Sequence, residues 1–382
     1  MKTTKTLLAA AVALAFAGSA AAADVQMYGL INVGMSYVHT DHDNGMSGTD
    51  KFSMENAQEF GSRWGLRGSE DLGNGYKVSF VLESGFQADD GALDVKQGSD
   101  RIFGRESSVS VHTPYGTVSA GLLPIFGSVL GANGLFRAID PLFGNYCSAI
   151  GSGFATASRW TRTDNAIAYR SPTVAGLTGY AMYSFKASKG EGVEGKKSSE
   201  RYASAALRYL NGPAEVVLVA DATMPAKNYS ATPVKDTDTG YTVTLGGNYT
   251  FDNGLKLITF AQKFSDMNLK WQTQGTPGTS IGTVLGLDDG YGQVDGWGAS
   301  IGANYPVLGG VAKVGLNHRE MDNTDNVDFT RWTLMAAYDY NLSKRTSVYA
   351  MTGYTQEKVE KANAKSVTPS GYEFCFGLLH RF

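Results

Sequence analysis

Thr239-Gly240-Tyr241-Thr242-Val243-Thr244-Leu245-Gly246-Gly247-Asn248-Tyr249-Thr250-Phe251 decides the fold class. Tyr241, Val243, Leu245, Tyr249 and Phe251 fall on one face of an extended chain, and Thr242, Thr244, Asn248 and Thr250 on the other. A period of two is the signature of a β-strand. The second face is too polar to belong to a second hydrophobic core. Residues 25–37 repeat the pattern, with Val25, Met27, Ile31, Val33, Met35 and Tyr37 against Gln26, Asn32 and Ser36. So do residues 76–87, with Tyr76, Val78, Phe80, Leu82 and Phe86 against Lys77, Ser79, Glu83 and Gln87. Similar segments recur near 175–186, 200–210, 293–305 and 328–341, several of them bounded by Tyr, Trp or Phe.

The connections alternate in length. Short ones, at 71–75, 114–116, 172–174, 211–213, 252–254, 306–310 and 341–344, carry the Asn, Gly and Pro chemistry of tight hairpins. Long, mostly polar ones fall at 38–59, 88–100, 187–199, 225–238, 265–292, 322–327 and 357–370. The stretch 124–163 is long but apolar and glycine-rich. Seven short turns and eight long loops join sixteen strands, with both termini on the short-turn side. A soluble β-sandwich has no reason to alternate its connections in this way.

Composition agrees. Glycine (47 of 382 residues) is abundant, 20 Tyr, 18 Phe and 5 Trp supply aromatics, and only two cysteines occur. A disordered chain and a disulfide-stapled scaffold are both excluded. Residues 1–23 read as a secretory signal peptide: Lys2 and Lys5, an apolar run from Leu7 to Phe16, then Ala21-Ala22-Ala23, with cleavage before Asp24. The apolar run is short for the alternative, a membrane anchor. Losing two lysines moves the net charge from −3 to −5, so bulk charge gives no reason to expect nucleic acid as a partner. Between His112 and Arg137 no charged residue occurs, yet Pro114, Pro124 and five glycines would break any helix there. A membrane location therefore requires a closed barrel, so residues 24–382 form one all-β, transmembrane antiparallel barrel of 16 strands.

Four segments resemble the trimeric general porins of Gram-negative outer membranes. They are Met27-Tyr28-Gly29; the strand pair and turn from Ser62 through Arg63-Trp64-Gly65-Leu66-Arg67 to Gly75; Tyr340 through Thr346; and the terminal Gly377-Leu378-Leu379-His380-Arg381-Phe382. The resemblance implies a water-filled channel for passive diffusion of small hydrophilic solutes and ions. It also implies a homotrimer, with the third loop, residues 124–163, folded into the lumen. Implied partners are outer-membrane lipid and lipopolysaccharide, periplasmic chaperones and the barrel-assembly machinery, which reads the terminal Phe382 as an insertion signal. A substrate-specific channel with a saturable site, and a structural or adhesive barrel, are the alternatives.

Function then rests on the charges at the narrowest zone. Parity turns Arg63 and Arg67 away from Trp64 and Leu66, toward the lumen, and groups Arg162 with Asp164 and Arg170 against Ile167 and Tyr169. Arg105 has no face assignable from its Ser/Val neighbours. By resemblance, Arg63, Arg105 and Arg162 align with the family's basic ladder; otherwise they are salt-bridged supports of the wall. Within 124–163, Arg137, Arg159 and Arg162 outnumber the one acid, Asp140. Two unit charges ~7 Å apart interact by roughly 2 kcal/mol at an effective dielectric of ~20, enough to bias ions toward anion passage. Leu30 and Leu122, where the family often has a basic residue, make the constriction more apolar. Cys147 and Cys375 are either two separate buried thiols or a disulfide pinning the loop to the wall. The histidines 39, 42, 112, 318 and 380 are scattered, and no nucleophile elbow or metalloprotease motif is present. No enzyme, metal or cofactor is expected. Phe374, Phe376, Leu378 and Phe382 share the face of the last strand turned to lipid. Deleting Phe382 is expected to deplete the folded, heat-modifiable species on a gel of outer membranes; wild-type amounts would contradict this.

Overall fold

Hairpins form where two adjacent residues accept the left-handed backbone. Asn74 and Gly75 have φ of 53° and 79°, a two-residue turn whose twist matches that of the flanking strands. It joins β3 (Arg63–Gly73) to β4 (Tyr76–Gly85), and a one-residue register shift between Asp71 and Gly73 then pairs Gly65 with Glu83. The other strands follow in chain order. Before this hairpin lie β1 (Asp24–Asp41) and β2 (Thr49–Asn56); after it come β5 (Glu106–Thr113), β6 (Gly116–Pro124), β7 (Arg162–Arg170) and β8 (Leu177–Ser184). Next are β9 (Arg201–Asn211), β10 (Ala214–Met224), β11 (Gly240–Thr250), β12 (Lys256–Asn268) and β13 (Gln293–Val307). β14 (Gly310–Asn323), β15 (Val327–Asn341), β16 (Thr346–Lys361) and β17 (Ser370–Arg381) complete the chain. The computed structural model describes residues 24–382 apart from 44, 46, 57, 95–100, 143–146, 148–149, 151–154, 158–160, 191, 228–237 and 270–290. The signal peptide expected at 1–23, and Arg159, lie outside the described residues.

Every strand pairs antiparallel with its neighbours, and β1 closes the ring against β17, from Leu30 opposite Arg381 to Asp41 opposite Ser370. The other side of β1 carries both β2 and β3. These two are halves of one barrel strand, since Val33 pairs with Asn56 and Leu30 with Arg63. Residues 58–62 lie outside the ladder, while β1 advances by only Ile31 and Asn32 between the two pairings. The gap is sealed by Ser62, whose Oγ accepts from Asn32 N at 3.0 Å and donates to Asn32 O at 3.1 Å. Sixteen barrel strands result, and the ring has no free edge.

Burial is inverted relative to a soluble protein. On β11, Tyr241, Val243 and Leu245 are 52, 49 and 56% exposed, whereas Thr242 and Thr244 are 2 and 0% exposed. The apolar face is the outer one, as lipid requires. Tyr241 and Tyr249 stand eight residues apart, roughly 26 Å at ~3.3 Å each before tilt, the scale of a ~25 Å apolar band between aromatic girdles. Exposed Tyr169, Tyr209, Tyr249, Tyr305 and Tyr340 mark the short-turn ends. Phe374, Phe376, Leu378 and Phe382 all face outward, while Cys375 is fully buried. Among the described residues no helix is long and apolar enough to cross a membrane.

Two expected long loops are mostly strand. β1 continues to Asp41 and β2 begins at Thr49, leaving residues 42–48 of the 38–59 loop, and 322–327 contracts to a turn at 324–326 with Asn326 at φ 56°. Hydrophobic alternation reports the lipid-facing band. Beyond it the alternation is short, with Phe52 and Met54 the only large apolar residues of β2, yet ladder pairing still satisfies the backbone.

The segment between β6 and β7 packs against side chains of β8, β9, β10 and β12. Ile125, Phe126, Phe136 and Ile139 form one cluster with Met182, Tyr202, Val217, Val219 and Phe260. Each fully buried side chain of this size contributes roughly 1.5–3 kcal/mol. The inner wall of β8–β12 is therefore partly apolar, which strict polar lining did not anticipate. Farther along, Leu142 packs with Met335 and Met351. Gly302 makes the seat, because a Cβ there would lie 2.5 Å from Pro141 Cβ.

Candidate functional site

The β3–β4 hairpin register sets Glu83 of β4 directly across from Gly65 of β3, and β5 places Glu106 on its other side. Gly65 is needed because a Cβ there would meet Leu82 O at 2.7 Å and the Tyr28 ring at 3.0 Å. Tyr28 lies over it, and its hydroxyl donates to Glu83 Oε2 at 3.0 Å. The other carboxylate oxygen, Oε1, accepts from Arg105 Nε at 2.8 Å and lies 3.8 Å from Arg63 Nη1. Arg105 is buried, its backbone N–H donates to Glu83 O, and its Nη1 lies 3.7 Å from Asp94 Oδ2. Arg162 Nε in turn donates to Arg105 O at 2.5 Å. Arg67 sits 5.0 Å from the Tyr28 ring centroid, in cation–π range, and its Nη2 donates to Gln26 Oε1 at 3.3 Å. Four of the expected arginines, 63, 67, 105 and 162, thus form one connected group on β3–β7.

Two do not join it through these contacts. Arg137, on the 3-10 turn Leu135–Ala138, is exposed and its Nη2 donates to Val129 O at 3.2 Å. Asp140 is buried, and its Oδ1 accepts from Leu142 N at 3.2 Å, bracing the turn that seats Pro141. The group's carboxylates come instead from the wall and the loop after β4: Glu83, Glu106 beside it, and Asp94. Glu83 was legible only as a member of its strand's polar face, since counting back from Asn74-Gly75 without the one-residue shift between Asp71 and Gly73 would set it opposite Leu66. Asp94 was not, since it reaches Arg105 from a loop whose path no periodicity describes.

The parity argument for Arg162 fails on inspection. Ala166 pairs with Gly121 and Thr163 with Leu123, so three residues of β7 oppose two of β6. Asn165, at φ 46°, marks this bulge. Counting by twos across it is invalid, and Arg162 is held by its bond to Arg105 rather than by the alternation of β7. Beside it, Asp164 takes a two-pronged pair of bonds from Arg101, both 2.6 Å.

A second basic row was missed. The register aligns Arg319 of β14, Arg331 of β15 and Glu357 of β16 side by side. Glu357 Oε1 accepts from Arg319 Nη2 at 3.1 Å, and Oε2 from Arg331 Nη2 at 2.7 Å and from the Tyr291 hydroxyl at 2.5 Å. Arg319 Nη1 also donates to Thr156 O of the β6–β7 segment, at 3.3 Å. Alternation alone could have placed all three on one face; only the register shows them adjacent.

The family model described as Gram-negative porin matches residues 9–360. The chain belongs to the Gram-negative porin family. This porin is 31% identical to an outer membrane porin protein of Bordetella pertussis over 99% of its own length and 100% of the relative's. Against outer membrane porin protein 32 of Delftia acidovorans the identity is 29%, covering 93 and 90% of the two chains. Among solved structures, an anion-selective porin from Comamonas acidovorans superposes with a TM-score of 0.64 at 23% identity, over 94% of this chain and 100% of that one. The porin is an outer-membrane channel protein, and its barrel is the family's.

Glu83→Gln removes one negative charge between Arg63 and Arg105 while keeping size and hydrogen-bonding capacity. After screening by salt, the anion-to-cation permeability ratio should rise by roughly 1 kcal/mol, about fivefold. Reversal potentials of wild type and variant across the same salt gradient give the ratio; an unchanged value would contradict this assignment of Glu83.

Proposed function

We propose that this porin mediates passive diffusion of small hydrophilic solutes and ions, with a preference for anions. In this reading residues 124–163 lie in the lumen and set its width. The observation that carries it is the connected group of Arg63, Arg67, Arg105 and Arg162, whose charge Glu83, Asp94 and Glu106 offset only in part. Sixteen strands leave an aqueous interior rather than a packed one. The contact of Ala138 O with Asn248 Nδ2 at 2.7 Å, and of Ala157 N with Gln262 Oε1 at 2.7 Å, supports a segment laid along the inner wall. Arg319 and Arg331, sharing Glu357, add a second positive row. The anion-selective porin of Comamonas acidovorans, with the same fold, is consistent with this sign.

The chain acts as a channel and performs no catalysis in this account. The mature protein begins at Asp24 after removal of the signal peptide 1–23, reaches the outer membrane through periplasmic chaperones and the barrel-assembly machinery, and assembles there as a homotrimer amid lipid and lipopolysaccharide. Phe382 has a structural part in that assembly. Its N–H and C=O both pair with Gly29 at 3.1 Å, so the last residue completes the seam.

Planar-bilayer recording tests the reading. Steps of ohmic conductance are expected, with a reversal potential of the sign for anion preference across a potassium chloride gradient. A clear cation preference would overturn the selectivity. Absence of conductance from correctly folded protein would overturn the channel.

A further inference from the structure

The chain's two cysteines, 228 residues apart in sequence, meet at the point where the β6–β7 segment reaches the last strand. Cys147 Sγ stands 3.7 Å from Cys375 Sγ, and both side chains are buried. Cys375 is on the inward face of β17, opposite Ser36 of β1 and Met351 of β16. Leu142, Ile150, Met335 and Met351 enclose the pair, and Cys147 Sγ also approaches Gln58 O, at 3.6 Å. The two thiols are in contact in an exported protein, in a compartment where thiol pairs oxidise. A disulfide needs ~2.05 Å between sulfurs, so a side-chain rotation of under about 2 Å closes the gap.

We propose that Cys147 and Cys375 form a disulfide that ties the β6–β7 segment covalently to the barrel wall. The oxidant is a disulfide-bearing thiol oxidoreductase or a small disulfide of the same compartment. One cysteine thiolate attacks that disulfide, forming a mixed disulfide and expelling one thiolate. The second cysteine then attacks the mixed disulfide and expels the other. Two protein thiols are oxidised, one disulfide is reduced to two thiols, and no further electron acceptor is required. Exchange takes place before the segment seats, because both sulfurs are buried afterwards. The finished bond is shielded from reductants by the same packing. Glu373 also lies near the two sulfurs, with one ligand atom of each residue within 4.8 Å of the others, so a bound metal ion is the competing use of these thiols. Glu373 Oε1 also accepts from Ser36 Oγ at 2.7 Å, which ties the carboxylate to the wall.

The test uses full-length protein taken from outer membranes without reductant. N-ethylmaleimide is present from lysis onward, and the protein is then denatured in the same reagent. The expected product carries no maleimide, is two hydrogens lighter than the reduced chain, and yields a proteolytic peptide pair joining Cys147 to Cys375. On a denaturing gel it migrates faster than after reduction, and a Cys375→Ser variant loses that shift. Two maleimides per chain would overturn the proposal. So would thiols that react only after a chelator is added, which would assign the pair to a metal. The proposal stands on export and on the sulfur contact, so it survives or fails independently of ion selectivity.

Discussion

No backbone N–H or C=O can be left unpaired in the apolar interior of a bilayer, where each orphan costs several kcal/mol. The seam between β1 and β17 answers that constraint, and the rest of the molecule depends on it. Twelve register pairs run from Leu30–Arg381 to Asp41–Ser370, and Phe382 adds reciprocal bonds to Gly29. Once the ring closes, one face of every strand must meet lipid and the other must enclose a space. Tyr241, Val243 and Leu245 outside, and Thr242 and Thr244 inside, follow from closure combined with a period of two.

The enclosed face is neither uniformly polar nor uniformly charged. Carboxylates on it are shared between cations: Glu83 lies between Arg63 and Arg105, and Glu357 between Arg319 and Arg331. A carboxylate removed from water is tolerated when paired and hydrogen-bonded, and a phenol completes each set, Tyr28 in one and Tyr291 in the other. Around Glu357 two guanidinium groups share one carboxylate, whereas Glu83, Asp94 and Glu106 stand against Arg63, Arg67, Arg105 and Arg162. Each set thus keeps a local positive balance of one, although the whole chain is net negative. The apolar patch on β8–β12 has a different role: it receives Ile125, Phe126 and Ile139, so the segment is seated by burial as well as by polar contacts.

Much of this was legible in the sequence. Alternation gave the strands, Asn74-Gly75 marked a hairpin turn, and Phe382 with its lipid-facing companions gave the last strand. What escaped notice has physical causes. Beyond the band the alternation is too short to announce a strand, Phe52 and Met54 being the only large apolar residues of β2, so 38–59 read as loop where β1 and β2 are paired. A one-residue bulge at Asn165 invalidates parity for everything before it in β7, Arg162 included. Adjacency across strands depends on register, which accumulates over turns and loops; the row Arg319–Arg331–Glu357 is therefore visible only in three dimensions. Loop paths such as that of Asp94 obey no period at all.

The central claim is that the apolar face of each strand meets lipid and the polar face encloses the channel. It is tested most directly on β11, in a Cys147→Ser, Cys375→Ser background. Tyr241→Cys, Thr242→Cys, Val243→Cys, Thr244→Cys and Leu245→Cys are made one at a time, labelled with a small fluorophore and folded into vesicles carrying a lipid-borne nitroxide quencher. Strong quenching at 241, 243 and 245, with little at 242 and 244, is the predicted result. Equal quenching along the strand, or the opposite alternation, would contradict the account.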